Sequence, residues 1–279
     1  MAHHPWRASL AGSIREFSDF PWDRHRIILW PMTTPLIVMF TDFGLEGPYV
    51  GQVKAVLASQ APQSTVIDLF ADAPAHDPEA AAYLLAAYSG GFPPGTVFLC
   101  VVDPGVGDRN RAPVVVSADG HWFVGPDNGL FNVIASRAKE TKWFDITWRP
   151  DHLSNSFHGR DLFAPVAAML TVDREIPGDE RAANDTDLWL GDLAKIIYID
   201  NFGNAITGIR AASLGAKDQL TAGGHTFQRA QTFSDVPENE GMWFENANEL
   251  AEIAVNCGRA DQEFDLVVGT DVTVQKGDG

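Results

Sequence analysis

The chain has 279 residues of which 45% are hydrophobic, enough for one large or two moderate folded domains. Its 37 acidic side chains outnumber 20 basic ones, for a formal charge of -17. This argues against nucleic-acid binding through phosphates and favours a cationic or zwitterionic small ligand. No stretch reaches the roughly 18 apolar residues of a membrane span, and Cys100 and Cys257, each in a strand-like apolar run without C-x-x-C spacing, read as free buried thiols.

Met1–Pro31 shows no periodicity and carries Arg7, Arg15, Asp19, Asp23, Arg24 and Arg26 without a continuous apolar segment. A secretory signal is therefore not expected, a cytoplasmic location is, and residues 1–35 read as a poorly ordered extension, with Met32 as an alternative start. Leu36–Thr41 is a buried strand ending at Asp42-Phe43-Gly44. Val53, Val56 and Leu57 give Gly51–Ala58 a helical spacing, and Thr65–Leu69 forms the next strand. Asp77 caps the following helix and Pro78 opens it. Thr96–Cys100 is a third strand that soon breaks at Asp103-Pro104-Gly105-Val106-Gly107, because Pro and Gly cannot continue a ladder. The alternation predicts a doubly wound, mostly parallel α/β domain over 36–175, with Asp42 and Asp103 at strand carboxyl ends, where such sheets bind ligands. Taken alone, Asp103 could equally be a turn former.

Ala112–Ser117 and His121–Gly125 read as a hairpin through Ala118-Asp119-Gly120. Pro126-Asp127-Asn128-Gly129 reads as the start of a helix through Leu130, Val133 and Ile134, capped by Asp127 or Asn128. His158 lies in Ser156–Asp161, ahead of an apolar helix through Phe163, Val166, Ala167 and Leu170. Asp173–Asp192 turns polar and loses apolar periodicity, so residues 176–192 read as a linker. Ile196–Ile199, Ala205–Ile209, Leu250–Val255 and Leu266–Val268 then predict a small all-β domain over 193–279. Its first turn, Asp200-Asn201-Phe202-Gly203-Asn204, sets polar groups beside an aromatic ring.

G-x-x-x-x-G-K-[ST], G-x-S-x-G and H-E-x-x-H do not occur, and Asp103–Gly107 lacks the third glycine of a dinucleotide fingerprint. Convergence of Asp42, Asp68, Asp103, Asp127 and His158 on two metals, for phosphoester chemistry, stays open on composition.

Five motifs in order carry a resemblance: Thr41-Asp42-Phe43-Gly44 with Gly47-Pro48-Tyr49-Val50-Gly51, then Val102–Gly107, Pro126–Leu130, Phe157-His158-Gly159-Arg160-Asp161 and Asp200–Asn204. Together they resemble the S-adenosyl-L-methionine (SAM) hydroxide adenosyltransferase family, relatives of the fluorinating and chlorinating enzymes. The resemblance implies an α/β domain followed by a small β-barrel, in trimers that bind substrate between the α/β domain of one subunit and the barrel of its neighbour. It places Asp42 on the ribose hydroxyls, a role suited to an ionised carboxylate, which can accept from both. Asp200 would face the substrate's ammonium group; Asn204, Phe233 and the backbone near Val255, Asn256 and Cys257 would contact adenine. Tyr49, Asn128 and Phe157, within the matched motifs, together with His76 and Asn248, complete the implied substrate contacts. SAM is the substrate, and no cofactor or metal is implied.

The reaction then follows from charge. Displacement at ribose C5′ releases a neutral thioether from a sulfonium, so the leaving group needs no acid and only the nucleophile must be activated. Asp103 and His158 would hold and deprotonate a water, giving adenosine and methionine. The family's third catalytic member is an arginine whose position here is Asn110, so the resemblance leaves Arg109 and Arg111, on either side, as candidates. The halogenating relatives have tyrosine and threonine in the segment of Asp103–Val106 and serine in that of Phe157–Gly159. A carboxylate beside a desolvated halide costs on the order of several kcal/mol, which favours water. Halide-dependent transfer, or a SAM or adenosine sensor without turnover, are the alternatives.

Overall fold

A computed structural model describes residues 34–108, 111–172, 175–181 and 189–277. The expectation for Met1–Pro31 lies outside the described residues, as do Arg109 and Asn110. In chain order the first part contains β1 (Leu36–Thr41), α1 (Tyr49–Gln60), β2 (Thr65–Phe70), α2 (Pro78–Tyr88), β3 (Val97–Val101), β4 (Pro113–Ala118), β5 (His121–Pro126), α3 (Asn132–Arg137), β6 (Thr141–Ile146), α4 (Ala164–Val172) and β7 (Gly178–Arg181). Their strands form one sheet in the order β2-β1-β3-β5-β4-β6-β7. The pairs β1·β2, β1·β3 and β3·β5 are parallel, whereas β4·β5, β4·β6 and β6·β7 are antiparallel.

β1 and β3 are apolar at nearly every position because both faces of the sheet are covered. On one face Val38, Phe40, Phe98 and Phe123 pack with Leu84 and Leu85 of α2 and Val133 of α3. On the other, Met39, Leu99 and Val124 meet Val53 and Leu57 of α1 and Val166 and Leu170 of α4. Asp77 caps α2 by accepting the Ala80 N–H at 3.0 Å, with Pro78 in the first turn. The β4–β5 turn puts Asp119 and Gly120 at φ 45° and 86°, the left-handed pair that tight hairpins require.

Two local expectations are corrected. The helix after Pro126 begins only at Asn132, capped by Phe131 without a side-chain bond, so neither Asp127 nor Asn128 is its cap. Asp127 instead binds Arg181 at 2.6 Å, while Asn128 donates to the Val102 carbonyl at 2.8 Å and accepts the Leu130 N–H at 3.3 Å. Within the stretch read as a linker, Gly178–Arg181 adds to the open edge of the sheet. An edge strand with a solvent-facing side has no apolar run to reveal it.

The remaining elements are β8 (Leu193–Ile199), β9 (Ala205–Arg210), β10 (Gln219–Ala222), β11 (His225–Arg229), β12 (Gly241–Glu245), β13 (Leu250–Val255), α5 (Ala260–Glu263) and β14 (Thr273–Gln275). They form a second sheet, β14-β10-β11-β12-β13-β9-β8. A bridge from Lys195 to Asp271, just ahead of β14, brings its two edges toward each other, so the sheet curls like a barrel. The buried Trp243 lies in its core, its indole N–H donating to the Asp218 carbonyl at 3.0 Å. Leu266–Val268 is not a strand: Leu266 plugs the core while Val267 is 60% exposed in a turn. Cys257 is exposed just beyond β13, whereas Cys100 is buried as expected; both are free thiols. Ile197, Ile206 and Leu250 join the cluster around α2, so the two sheets share a core within the compact unit Met32–Gly279. Among the described residues no helix is long and apolar enough to cross a membrane.

Candidate active site

β1 lies between β2 and β3, so the chain leaves β1 in one direction and later returns on its other side. That reversal opens a crevice at the carboxyl ends of β1 and β3. Asp42 follows β1 directly, its backbone N–H donating to the Val101 carbonyl of β3 at 3.3 Å, and Asp103 lies two residues beyond β3. The topology thus places two acidic residues side by side.

The loop after Asp103 folds back on itself through Val106 N–H to the Asp103 carbonyl at 3.3 Å and Asp108 N–H to the Gly105 carbonyl at 3.1 Å. Gly107 sits at φ 89°, where a Cβ would lie 2.8 Å from the Asn155 carbonyl oxygen, so glycine is required there. The turn brings Arg111 over Gly105 and into an ion pair with Asp103. Only 7% of the Asp103 side chain and 19% of that of Arg111 is exposed. Burial pushes the Asp103 carboxyl above the usual range; Arg111, the Gly105 N–H and His158 pull it down, and Asp42 pushes it up again. Burial also raises Asp42, opposed by the His76 backbone N–H, which donates to its Oδ2 at 3.2 Å. His76 adopts φ 58°, so its contribution to Asp42 is a backbone contact.

His158 precedes a π-helical turn, Gly159–Phe163, that leads into α4. Together with Asp103, Arg111, Arg149, Asn155 and Leu162 it lines a cavity of about 350 Å³. Alongside, Phe157 meets Tyr49 and Phe43 edge-on, with ring centroids 5.2 and 5.7 Å away. Asn128 braces the exit of β3 and lines neither this cavity nor the next.

A second cavity, of about 740 Å³, gathers Asp200, Asn204, Phe233, Asn248, Val255 and Cys257 from the second sheet and its loops. Asp200 Oδ1 accepts the backbone N–H groups of Phe202 and Asn204, both at 2.9 Å, which fixes the carboxylate in its turn. Asn256 turns its amide aside, donating to the Val236 carbonyl at 2.8 Å. Sequence reasoning missed Tyr88, Tyr198, Phe244, Asn246 and Glu252 in this wall. Glu252 is 6% exposed, accepts from Asn246 Nδ2 at 2.9 Å, and is held above the usual carboxylate range by burial. A lone acid inside the apolar run Leu250–Val255 was the available signal. Two carboxylates face this aromatic cavity, and no Lys, Arg or His lines it.

The proposed metal convergence does not form. Asp68 is paired with Lys54 and Asp127 with Arg181, and among the described residues no group of three His, Cys, Asp or Glu side chains is placed to share an ion.

Comparison with known proteins assigns the two halves separately. Residues 37–177 match the SAM hydroxide adenosyltransferase N-terminal domain, and residues 194–273 match the C-terminal domain of the same family. The chain is 37% identical over 256 residues to an (R)-S-adenosyl-L-methionine hydrolase of Thermus thermophilus, covering 85% of this chain and 98% of that protein. It is 22% identical to a fluorinase of Nocardia brasiliensis over 87% of this chain and 97% of the relative. A crystal structure of an uncharacterized conserved protein from Thermotoga maritima superposes with a TM-score of 0.77 at 30% identity, covering 86% of this chain and all of the other.

Proposed function

Because the chain belongs to the SAM hydroxide adenosyltransferase family, we propose that it hydrolyses SAM to adenosine and L-methionine by attack of water at ribose C5′. The observation that carries the mechanism is the Asp103–Arg111 pair beside His158 at the β1/β3 switch point. The water is held between Asp103 and His158 and loses its proton as its oxygen bonds to C5′ and the C–S bonding pair returns to sulfur. Arg111 keeps Asp103 ionised in a buried setting, and this chain's third catalytic role falls to it. Since the sulfonium leaves as a neutral thioether, no Lewis acid is required, and chelators leave the rate unchanged.

Asp42 holds the ribose hydroxyls, and the acidic second cavity takes the ammonium end and the adenine. Within one chain the two cavities share no lining residue. Leu45 and Tyr49 near the first, and Phe202 at the second, are 80%, 50% and 73% exposed, apolar surface suited to a neighbouring copy. A homotrimer with sites at its interfaces is part of the proposal, as is a cytoplasmic setting, where SAM is made and used.

The name of the Thermus relative specifies the (R) configuration, and we extend that preference to this chain. Attack at C5′ breaks the same bond in either sulfonium epimer. Discrimination must therefore come from whether the methionine arm reaches Asp200 while Asp42 holds the ribose.

Incubation with separated SAM epimers in oxygen-18 water tests the reading. Labelled adenosine, formed faster from the (R) epimer without added halide, is the expected product. A 5′-halo-adenosine that appears only with halide would indicate the halogenating reaction, and binding without product would indicate a sensor.

A further inference from the structure

His158 stands at the N-cap of the Gly159–Phe163 turn, with no side-chain hydrogen bond at that cap. Its neighbours, by contrast, are tied from several directions. Asp161 Oδ1 accepts Arg160 Nε at 2.6 Å, and its Oδ2 accepts both Arg160 Nη2 and the Ser154 backbone N–H at 3.0 Å. Ser154 Oγ in turn accepts the Phe157 N–H at 3.1 Å, closing a ring around the segment that carries the histidine. Arg160 reaches further: Nη1 donates to Gln52 Oε1 of α1 at 3.0 Å, and the guanidinium lies 5.1 Å from the centroid of the Phe157 ring. On the far side Gly159 packs so closely that a Cβ would fall 2.8 Å from the Phe43 ring.

We propose that Asp161 is a positioning residue for catalysis: by gripping Arg160 and the Ser154 backbone together, it fixes the loop that holds His158 across from Asp103. The inference rests on the hydrolase reading for its kinetic arm. Neither Asp161 nor Arg160 lines the catalytic cavity, so their effect passes through the histidine. The bonds from Arg160 and Ser154 hold the Asp161 carboxyl down to about 2, so the grip persists throughout the neutral range. A planar two-point contact also fixes orientation, which a single point charge cannot do.

Asp161→Asn is the primary test. Displacing a reacting group by about an ångström costs on the order of 10²-fold in rate, so kcat should fall by that order while KM for SAM stays within about twofold. In an His158→Ala background the same substitution should remove nothing further. If it costs as much there as in the parent enzyme, Asp161 is merely structural and the proposal fails. A second readout needs no turnover. In nitrogen-15 histidine-labelled protein, the His158 ring signal, assigned by its loss in His158→Ala, should be single in the parent and broadened or split in Asp161→Asn. An unchanged ring signal overturns the proposal. Absence of adenosine from the parent enzyme would instead sink the hydrolase reading and leave the ring signal to judge the loop. Should Asp161→Asn fail to fold, Arg160→Lys, which keeps the charge but loses the two-point contact, takes its place in both readouts.

Discussion

Removing the Arg111 guanidinium should move the pH profile of the reaction before it does anything else. Asp103 is 7% exposed at its side chain and already raised by burial, with Arg111 the largest influence opposing that rise. An opposite charge in contact lowers a carboxyl pKa by about 1–3 units, each unit corresponding to about 1.36 kcal/mol. Arg111→Ala should therefore raise Asp103 by about that amount, because so little water reaches the pair to screen it. The sign follows from the base role: the ionised carboxylate is the active form, so activity is lost as pH falls through its pKa. A higher pKa shifts the acid limb of kcat to higher pH, and below the new midpoint the rate falls about tenfold per pH unit. Single-turnover release of adenosine, followed from pH 5 to 9, measures the shift. An acid limb left in place would mean that Arg111 does not govern Asp103, and movement with Arg109→Ala instead would assign the role to the other arginine.

Asp103→Ala and His158→Ala should each lower kcat by about 10²–10⁴-fold with little change in KM, and the double variant should be no worse than the poorer single one. Additive losses in steady-state kinetics would show that the two do not act as a unit. Asp42→Ala should act on binding: losing a charged hydrogen bond worth about 1.5–3 kcal/mol raises KM for SAM about 10- to 100-fold at similar kcat, as initial rates would reveal. Gly129→Ala tests the fold. At φ 95° its Cβ would fall 2.5 Å from the Trp189 ring, so denaturant unfolding should show a loss of about 2–4 kcal/mol.

Much of the parallel half of the first sheet was legible from its residues. Leu36–Thr41 and Val97–Val101 are apolar on both faces, and only a strand covered by helices on both sides uses such a run. Their abrupt ends at Asp42 and at Asp103-Pro104-Gly105 located the crevice, since Pro and Gly stop a ladder wherever they occur. The antiparallel half was less visible. β7 reads Gly-Asp-Glu-Arg, a polar edge whose place is set by β6 and by the reach of Arg181 to Asp127 and Asp145.

Local sequence thus determined which segments are buried strands, where they break and which acids stand at the breaks, because burial pattern and backbone restriction are properties of a few neighbouring residues. Partners required the tertiary structure. Arg111 reaches Asp103 only because the intervening loop doubles back over two glycines, and Asp127 leaves the expected helix cap for an arginine 54 residues away. Glu252 enters the wall of the second cavity through the register of β13 with β9 and β12. Ion pairing and cavity shape depend on distances across the folded chain, and no period within the sequence encodes those distances.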